Sequence, residues 1–178
     1  MKKQRIQLVV AGIILILVAA AYIGMRYYNS RSKEETAVET YVVTQDELAA
    51  VTRFSFTNEN GSFRFVKTEE GWQYEADPEF SVDTTVLEGI IEKAVAVSSE
   101  NKIEAVQDMA QYGLTEPEIT ISYQTAEGSK TLYIGDFNSA VYVYYLALEG
   151  SDTVYTVEGA FRGNFTKTLE DLASAEEE

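Results

Sequence analysis

The chain has 178 residues, 46% of them hydrophobic, 24% charged and 12% aromatic, with a formal net charge of −15 and neither cysteine nor histidine. A length of this order fits one ordinary domain plus a short appendage. Without Cys there is no disulfide, thiol nucleophile or cysteine-linked lipid; without His there is no Ser-His-Asp triad, no imidazole base and no Cys/His zinc site.

Lys2, Lys3 and Arg5 precede 20 residues without a charge, Ile6 to Met25. At about 1.5 Å per residue such a helix spans about 30 Å, the thickness of a hydrocarbon core. Residues 6–28 are therefore expected to be a transmembrane anchor, with Tyr22, Tyr27 and Tyr28 near the interface. The competing reading is a cleaved signal peptide with Ala19-Ala20-Ala21 as its small-residue site, but the run exceeds the usual apolar core of about 7–15 residues. Ala11-Gly12 and the same alanines offer small side chains for close helix packing.

Arg26, Arg31 and Lys33 follow the span, so the flanking charges are level. The short, wholly basic tail 1–5 favours a cytoplasmic N-terminus and an extracytoplasmic domain at the cell membrane. From Glu34 onward the chain holds all 29 acidic and eight basic residues, a net charge of −21. That charge repels nucleic-acid phosphates and anionic headgroups, and it also serves solubility. Polar residues 29–40 read as a linker, 41–173 as one outer domain, and 174–178 as an acidic tail.

Within the domain, Arg53–Thr57 and Ser62–Val66 alternate apolar with polar around an Asn60-Gly61 pair, a hairpin signal that gives Phe54, Phe56, Phe63 and Phe65 one buried face. Trp72–Tyr74 is a third strand, and Asp77-Pro78 breaks it. Asp83 is a fitting N-cap for a helix whose apolar stripe is Val86, Leu87, Ile90, Ile91, Ala94 and Val97. Lys102–Val106 reads as a short strand.

Ile119–Tyr123 and Lys130–Ile134 form a second hairpin, Tyr142–Leu148 and Thr153–Val157 two more strands, and a closing helix carries Phe161, Phe165, Leu169 and Leu172. The expected class is α+β, with antiparallel sheets each packed on a helix and a strand-strand-strand-helix order that suggests an internal duplication.

Tyr112-Gly113-Leu114-Thr115-Glu116-Pro117, then Leu132-Tyr133-Ile134-Gly135-Asp136, then the strand Tyr144–Leu148 and Val154-Tyr155 occur in that order. The succession, over roughly Val51 to Leu172, resembles a bacterial domain-of-unknown-function family, number 4340. The resemblance implies a membrane-anchored envelope protein associated with ABC-type transport systems of the gliding-motility kind, beside a permease, an ATPase and an auxiliary protein. It implies no catalytic residues. Family motif positions here are Tyr112, Gly113, Leu114, Pro117, Gly135 and Asp136.

Each candidate site has a bland counterpart. Tyr112–Pro117 is a recognition loop, or it is structural, with Gly113 at positive φ, Leu114 plugging the core and Pro117 fixing the start of a strand. Asp136-Phe137-Asn138-Ser139 places oxygens at alternate positions like the start of a calcium loop, but lacks its later Gly and Glu and reads better as a turn.

Tyr142, Tyr144, Leu146 and Leu148 fall on one face of a strand, and Val141, Val143, Tyr145 and Ala147 on the other. A strand apolar on both faces is central and covered, or partly exposed for a partner. Tyr142, Tyr144 and Tyr145 are thus the candidate interaction surface. Asp46-Glu47, Glu116/Glu118 and Glu170-Asp171 are close carboxylates without a partnering base, and Ser129-Lys130 lacks catalytic spacing.

The expectation is a non-enzymatic, cofactor-free, single-pass accessory of a membrane complex, with an ABC-type permease and ATPase as partners and no nucleic acid. The alternative is an extracytoplasmic module binding an envelope glycan or peptide through the tyrosines.

Overall fold

The computed structural model describes residues 22–23 and 40–174. Residues 40–174 fall in one compact unit, distinct from the one that holds Tyr22 and Ile23. The expected anchor, basic tail and linker lie outside the described residues, apart from Tyr22 and Ile23, which are helical, and Thr40. No helix among the described residues is long and apolar enough to cross a membrane.

In chain order the second unit comprises β1 (Tyr41–Val42), β2 (Arg53–Asn58), β3 (Gly61–Thr68), β4 (Gly71–Tyr74), helix α1 (Thr84–Val95), β5 (Ser98–Ser99) and β6 (Lys102–Ile103). There follow β7 (Ile119–Thr125), β8 (Gly128–Asn138), β9 (Val143–Leu148), β10 (Val154–Glu158) and the short helix α2 (Gly159–Gly163). Strands predominate, with two helices, an α+β arrangement.

Eight strands make one antiparallel sheet in the order β4-β3-β2-β7-β8-β9-β10-β6, and β1 pairs with β5. The expectation of separate sheets is therefore corrected. The two hairpin systems join through β2 and β7, Phe56 opposite Ile121 and Ser55 opposite Ser122. This pairing leaves neither hairpin with a free inner edge.

One face carries the core. Phe54, Phe56, Phe63 and Phe65 are all buried there, with Ile121, Ile134 and Leu146 from the other half. Helix α1 covers them with Leu87, Ile90, Ile91, Ala94 and Val95. Asp83 caps this helix, its carboxylate accepting from the Val86 N–H at 3.0 Å. The helix stops at Val95, so Val97 is buried beyond the expected stripe rather than on it. Its N–H donates to Thr44 Oγ1 at 2.9 Å, while the Thr44 hydroxyl donates to the Ala94 carbonyl at 2.8 Å. The segment leading into the domain is thereby stitched to the helix end.

Two further expectations change. The strand over 102–106 is only Lys102–Ile103, because Ala105 takes a φ of 55°. The closing helix ends at Gly163, although Phe165 and Leu172 are fully buried. Asn58 explains this: its amide donates to the carbonyls of Phe165 at 2.8 Å and Lys167 at 3.0 Å. Those carbonyls are turned away from an i+4 ladder, so an irregular segment carries the same apolar side chains into the core.

The opposite face is polar over β2, β3 and β7, where Arg53, Ser55, Arg64, Thr120 and Ser122 alternate with the core residues. This is the usual condition of an antiparallel sheet with one solvated side. Over β8, β9 and β10 the same face is apolar, and a second small core of Leu114, Ala147 and Val154 covers it.

Candidate functional site

The motif residues meet at that second core. Met109–Tyr112 form a single 3-10 turn, and the Asp108 carboxylate accepts from the Ala110 N–H at 2.9 Å. Gly113 ends the turn at φ 68°, a conformation that favours glycine. Leu114 is then buried beside Ala147 and Val154. Pro117 stands two residues before β7.

The partner of this turn is a bulge in β8. Ile134 pairs with Leu146 but Phe137 with Tyr144, so β8 carries one extra residue at Gly135-Asp136. A Cβ on Gly135 would lie 2.2 Å from the Tyr112 carbonyl oxygen, and one on Gly113 would lie 2.8 Å from the Asp136 backbone nitrogen. Neither approach tolerates a side chain. The two glycines of the motif are thus the two halves of one backbone-to-backbone contact.

The Tyr112 ring meets the Tyr145 ring edge-on, centroids 4.7 Å apart, and Asn138 Nδ2 donates to the Tyr145 hydroxyl at 2.7 Å. The arrangement fixes a loop onto a sheet. Asp136, the acidic motif member, remains exposed beside it.

Beyond the bulge lies an apolar tip. The strand runs through Asp136, Phe137 and Asn138, where a turn is expected from the sequence; the turn itself is 139–142. Asn138 organises it, its Oδ1 accepting from the Ala140 N–H at 3.0 Å and its carbonyl from the Tyr142 N–H at 2.8 Å. Among the described residues no group of three or more acidic side chains could hold a metal ion.

Tyr142 lies outside β9, in a correction to the expected strand, and takes a φ of 59°. It is 75% exposed, Val141 63% and Phe137 46%. Phe137 links the tip to the sheet, its ring 6.2 Å from Tyr142 and 4.9 Å from Tyr144. Arg162 stacks over Tyr144 at 5.1 Å and is held by Glu118, with Nε donating at 3.1 Å. That hydrogen bond raises the Arg162 pKa further above its ordinary value.

The three candidate tyrosines therefore divide. Tyr142 is at the exposed tip, Tyr144 packs on the main core, and Tyr145 packs on the opposite face with Tyr112. Phe137 and Val141 complete the exposed surface and are missed as such by the sequence reading. The available signal is that Phe137 to Leu148 is the longest uncharged run after the linker, 12 residues.

One member of each carboxylate pair makes a structural contact. Asp46 takes both Lys130 Nζ contacts, at 2.9 and 2.7 Å, and the Tyr123 hydroxyl at 2.6 Å. Burial alone would raise the Asp46 carboxyl, but the hydrogen bonds from Lys130 and Tyr123 outweigh it and hold the pKa below its ordinary value. Burial, reinforced by the Asp46 charge, pushes the Tyr123 phenol well up. Glu118 holds Arg162, and Asp171 accepts from the Thr168 N–H at 2.9 Å. Lys130 is committed to Asp46 and not to Ser129.

Residues 72–176 match the model of a family described as a domain of unknown function, DUF4340. The match begins within β4 and contains both halves of the glycine contact, while β2 and β3 precede it. No curated protein and no solved structure matches the chain.

Proposed function

The chain belongs to the DUF4340 family, and from that premise we propose that it is a non-enzymatic, single-pass accessory of a membrane complex, an ABC-type transport system. Residues 6–28 anchor it, the N-terminus is cytoplasmic, and the acidic domain stands outside. The observation that carries the membrane part of this reading is the tip at Phe137, Val141 and Tyr142, while the transporter part rests on the family resemblance. The tip is an uncharged aromatic surface whose turn is hydrogen-bonded to Asn138 and which is exposed to solvent. Exposed apolar groups clustered in this way mark a surface that contacts something. The motif residues beside it support the same reading, because their geometry is that of packing.

The glycan- or peptide-binding alternative draws less support, since the tyrosines of β9 point to opposite faces and do not form one platform. The strand order also supports the duplication: outward from the β2–β7 seam, β2-β3-β4 run one way and β7-β8-β9 the other.

Purification of the full-length protein in mild detergent from its native host, followed by mass spectrometry, tests the proposal. Permease and ATPase subunits are expected to co-purify, and to be lost when the first 28 residues are replaced by an unrelated anchor. Recovery of the protein alone under conditions that preserve other membrane complexes would remove the transporter reading. Protease added to intact cells is expected to digest the domain while a cytoplasmic marker survives.

A further inference from the structure

We infer that the tip between β8 and β9 rests in the interfacial layer of a lipid bilayer, with Phe137, Val141 and Tyr142 at the boundary of headgroups and acyl chains. The inference depends on residues 6–28 being an anchor, and it refines the proposal by naming which membrane component this end of the domain meets.

The first argument is chemical. The tip offers two aromatic rings and a valine with no charge from Phe137 to Leu148, and one ring carries a hydroxyl. Amphipathic and aromatic side chains are favoured at membrane interfaces, where one end is apolar and the other wet.

The second argument is position. Val143, at the base of the tip, and Thr40, the first described residue of the domain, line the same cavity of about 390 Å³. The tip and the point where the chain joins the domain therefore lie at the same end of it. The 11 residues Asn29–Glu39 would reach roughly 40 Å fully extended, so connectivity permits the tip to touch the surface beside the anchor.

The third argument concerns size. Three side chains at a hairpin apex fall far short of the roughly 20–30 residues per side of a stable protein interface. As a foot on a surface to which the domain is already tethered they suffice, because the contact is intramolecular in effect. Asp136 and Glu158 lie at this end together with Lys93 and Arg162, so its charge is mixed and a zwitterionic surface suits it.

The chain has no cysteine, so a single one can be introduced and labelled cleanly. Full-length Val141→Cys, carrying an environment-sensitive fluorophore, is reconstituted in phosphatidylcholine vesicles containing nitroxide-labelled lipid. Glu127→Cys serves as the control, because the β7–β8 turn lies at the other end of β8. Quenching is expected to be several-fold stronger at 141 than at 127. Phe137→Ser and Tyr142→Ser in the labelled protein are expected to reduce it, with circular dichroism verifying the fold.

Equal, solvent-like quenching at both sites would overturn the inference. Burial of the 141 probe only after permease and ATPase subunits are co-reconstituted would also overturn it, while leaving the accessory role standing. Strong lipid quenching from a protein that co-purifies with nothing would leave the tip assignment intact and remove the transporter role.

Discussion

The two ends of β8 are built from opposite chemistries. At its start Gly128 takes a φ of 136° after Ala126-Glu127, and Lys130 reaches Asp46, which also receives the Tyr123 hydroxyl. At its finish a two-glycine backbone contact leads to an Asn-organised turn and exposed rings. The first end follows ordinary turn chemistry, with glycine where φ is positive. The second places Tyr142 at φ 59°, a left-handed conformation that costs a non-glycine residue about 1–2 kcal/mol. A turn selected for folding alone would carry Gly or Asn there. The ring stands where it strains the turn and meets solvent, which is what the proposed contact outside the domain would require.

The contrast breaks most severely at the bulge. Gly135→Ala would set a methyl group 2.2 Å from the Tyr112 carbonyl, forcing two backbones apart. We expect a loss of about 3 kcal/mol and a fall in Tm of roughly 10 °C, at the upper end of overpacking. Gly128→Ala meets no atom within 4 Å and strains only its own φ, so about 1 kcal/mol is expected. Thermal melts of the two full-length variants read the difference, and a loss at Gly135 no larger than that at Gly128 would show that the turn and the bulge can separate at little cost.

The charged end responds to pH. Asp46→Asn keeps an acceptor for Tyr123 but removes the pairing with Lys130, a partly exposed and therefore screened interaction. A loss of about 1 kcal/mol is expected at neutral pH. The folded pKa of Asp46 is depressed, so its contribution is complete above the unfolded value near 3.9 and is lost as pH falls through the folded value. Urea midpoints of the two proteins should converge as the medium is acidified below that range. A constant gap down to low pH would assign the effect to packing and not to charge.

Much of this architecture is legible in the residues. Alternation around Asn60-Gly61 marks the β2–β3 hairpin, and Asp83 with its apolar stripe marks α1. Local patterns of this kind record local structure. The joining of the hairpins through β2 and β7 is long-range, and neither strand's periodicity names its neighbour. Phe161, Phe165, Leu169 and Leu172 have helical spacing because all four pack on one core, yet Asn58 draws the backbone out of a helix. The glycines of the two motifs are visible separately, but a close approach of backbones leaves no mark except the glycines themselves. Phe137 is hidden by its neighbours: between Asp136 and Asn138 it reads as part of a polar turn, and only the bulge turns its ring toward Tyr142 and Tyr144.

The finest test separates the two demands on Tyr142. Tyr142→Gly relieves the left-handed strain, which favours the folded state by about 1–2 kcal/mol, but it frees the unfolded backbone by about 0.5–1 kcal/mol. Loss of the edge-on contact with Phe137, centroids 6.2 Å apart and exposed to solvent, takes away about 0.5 kcal/mol. The net expectation is a gain of about 0.5 kcal/mol or none, with Tm unchanged within roughly 2 °C. Lipid quenching at position 141 should nevertheless fall, because the exposed ring is gone. Stability held while contact is lost would show that this residue is kept against the preference of its own turn. A clear loss of stability would instead mean that the ring supports the fold through Phe137, and the two ends of β8 would then differ in composition but not in purpose.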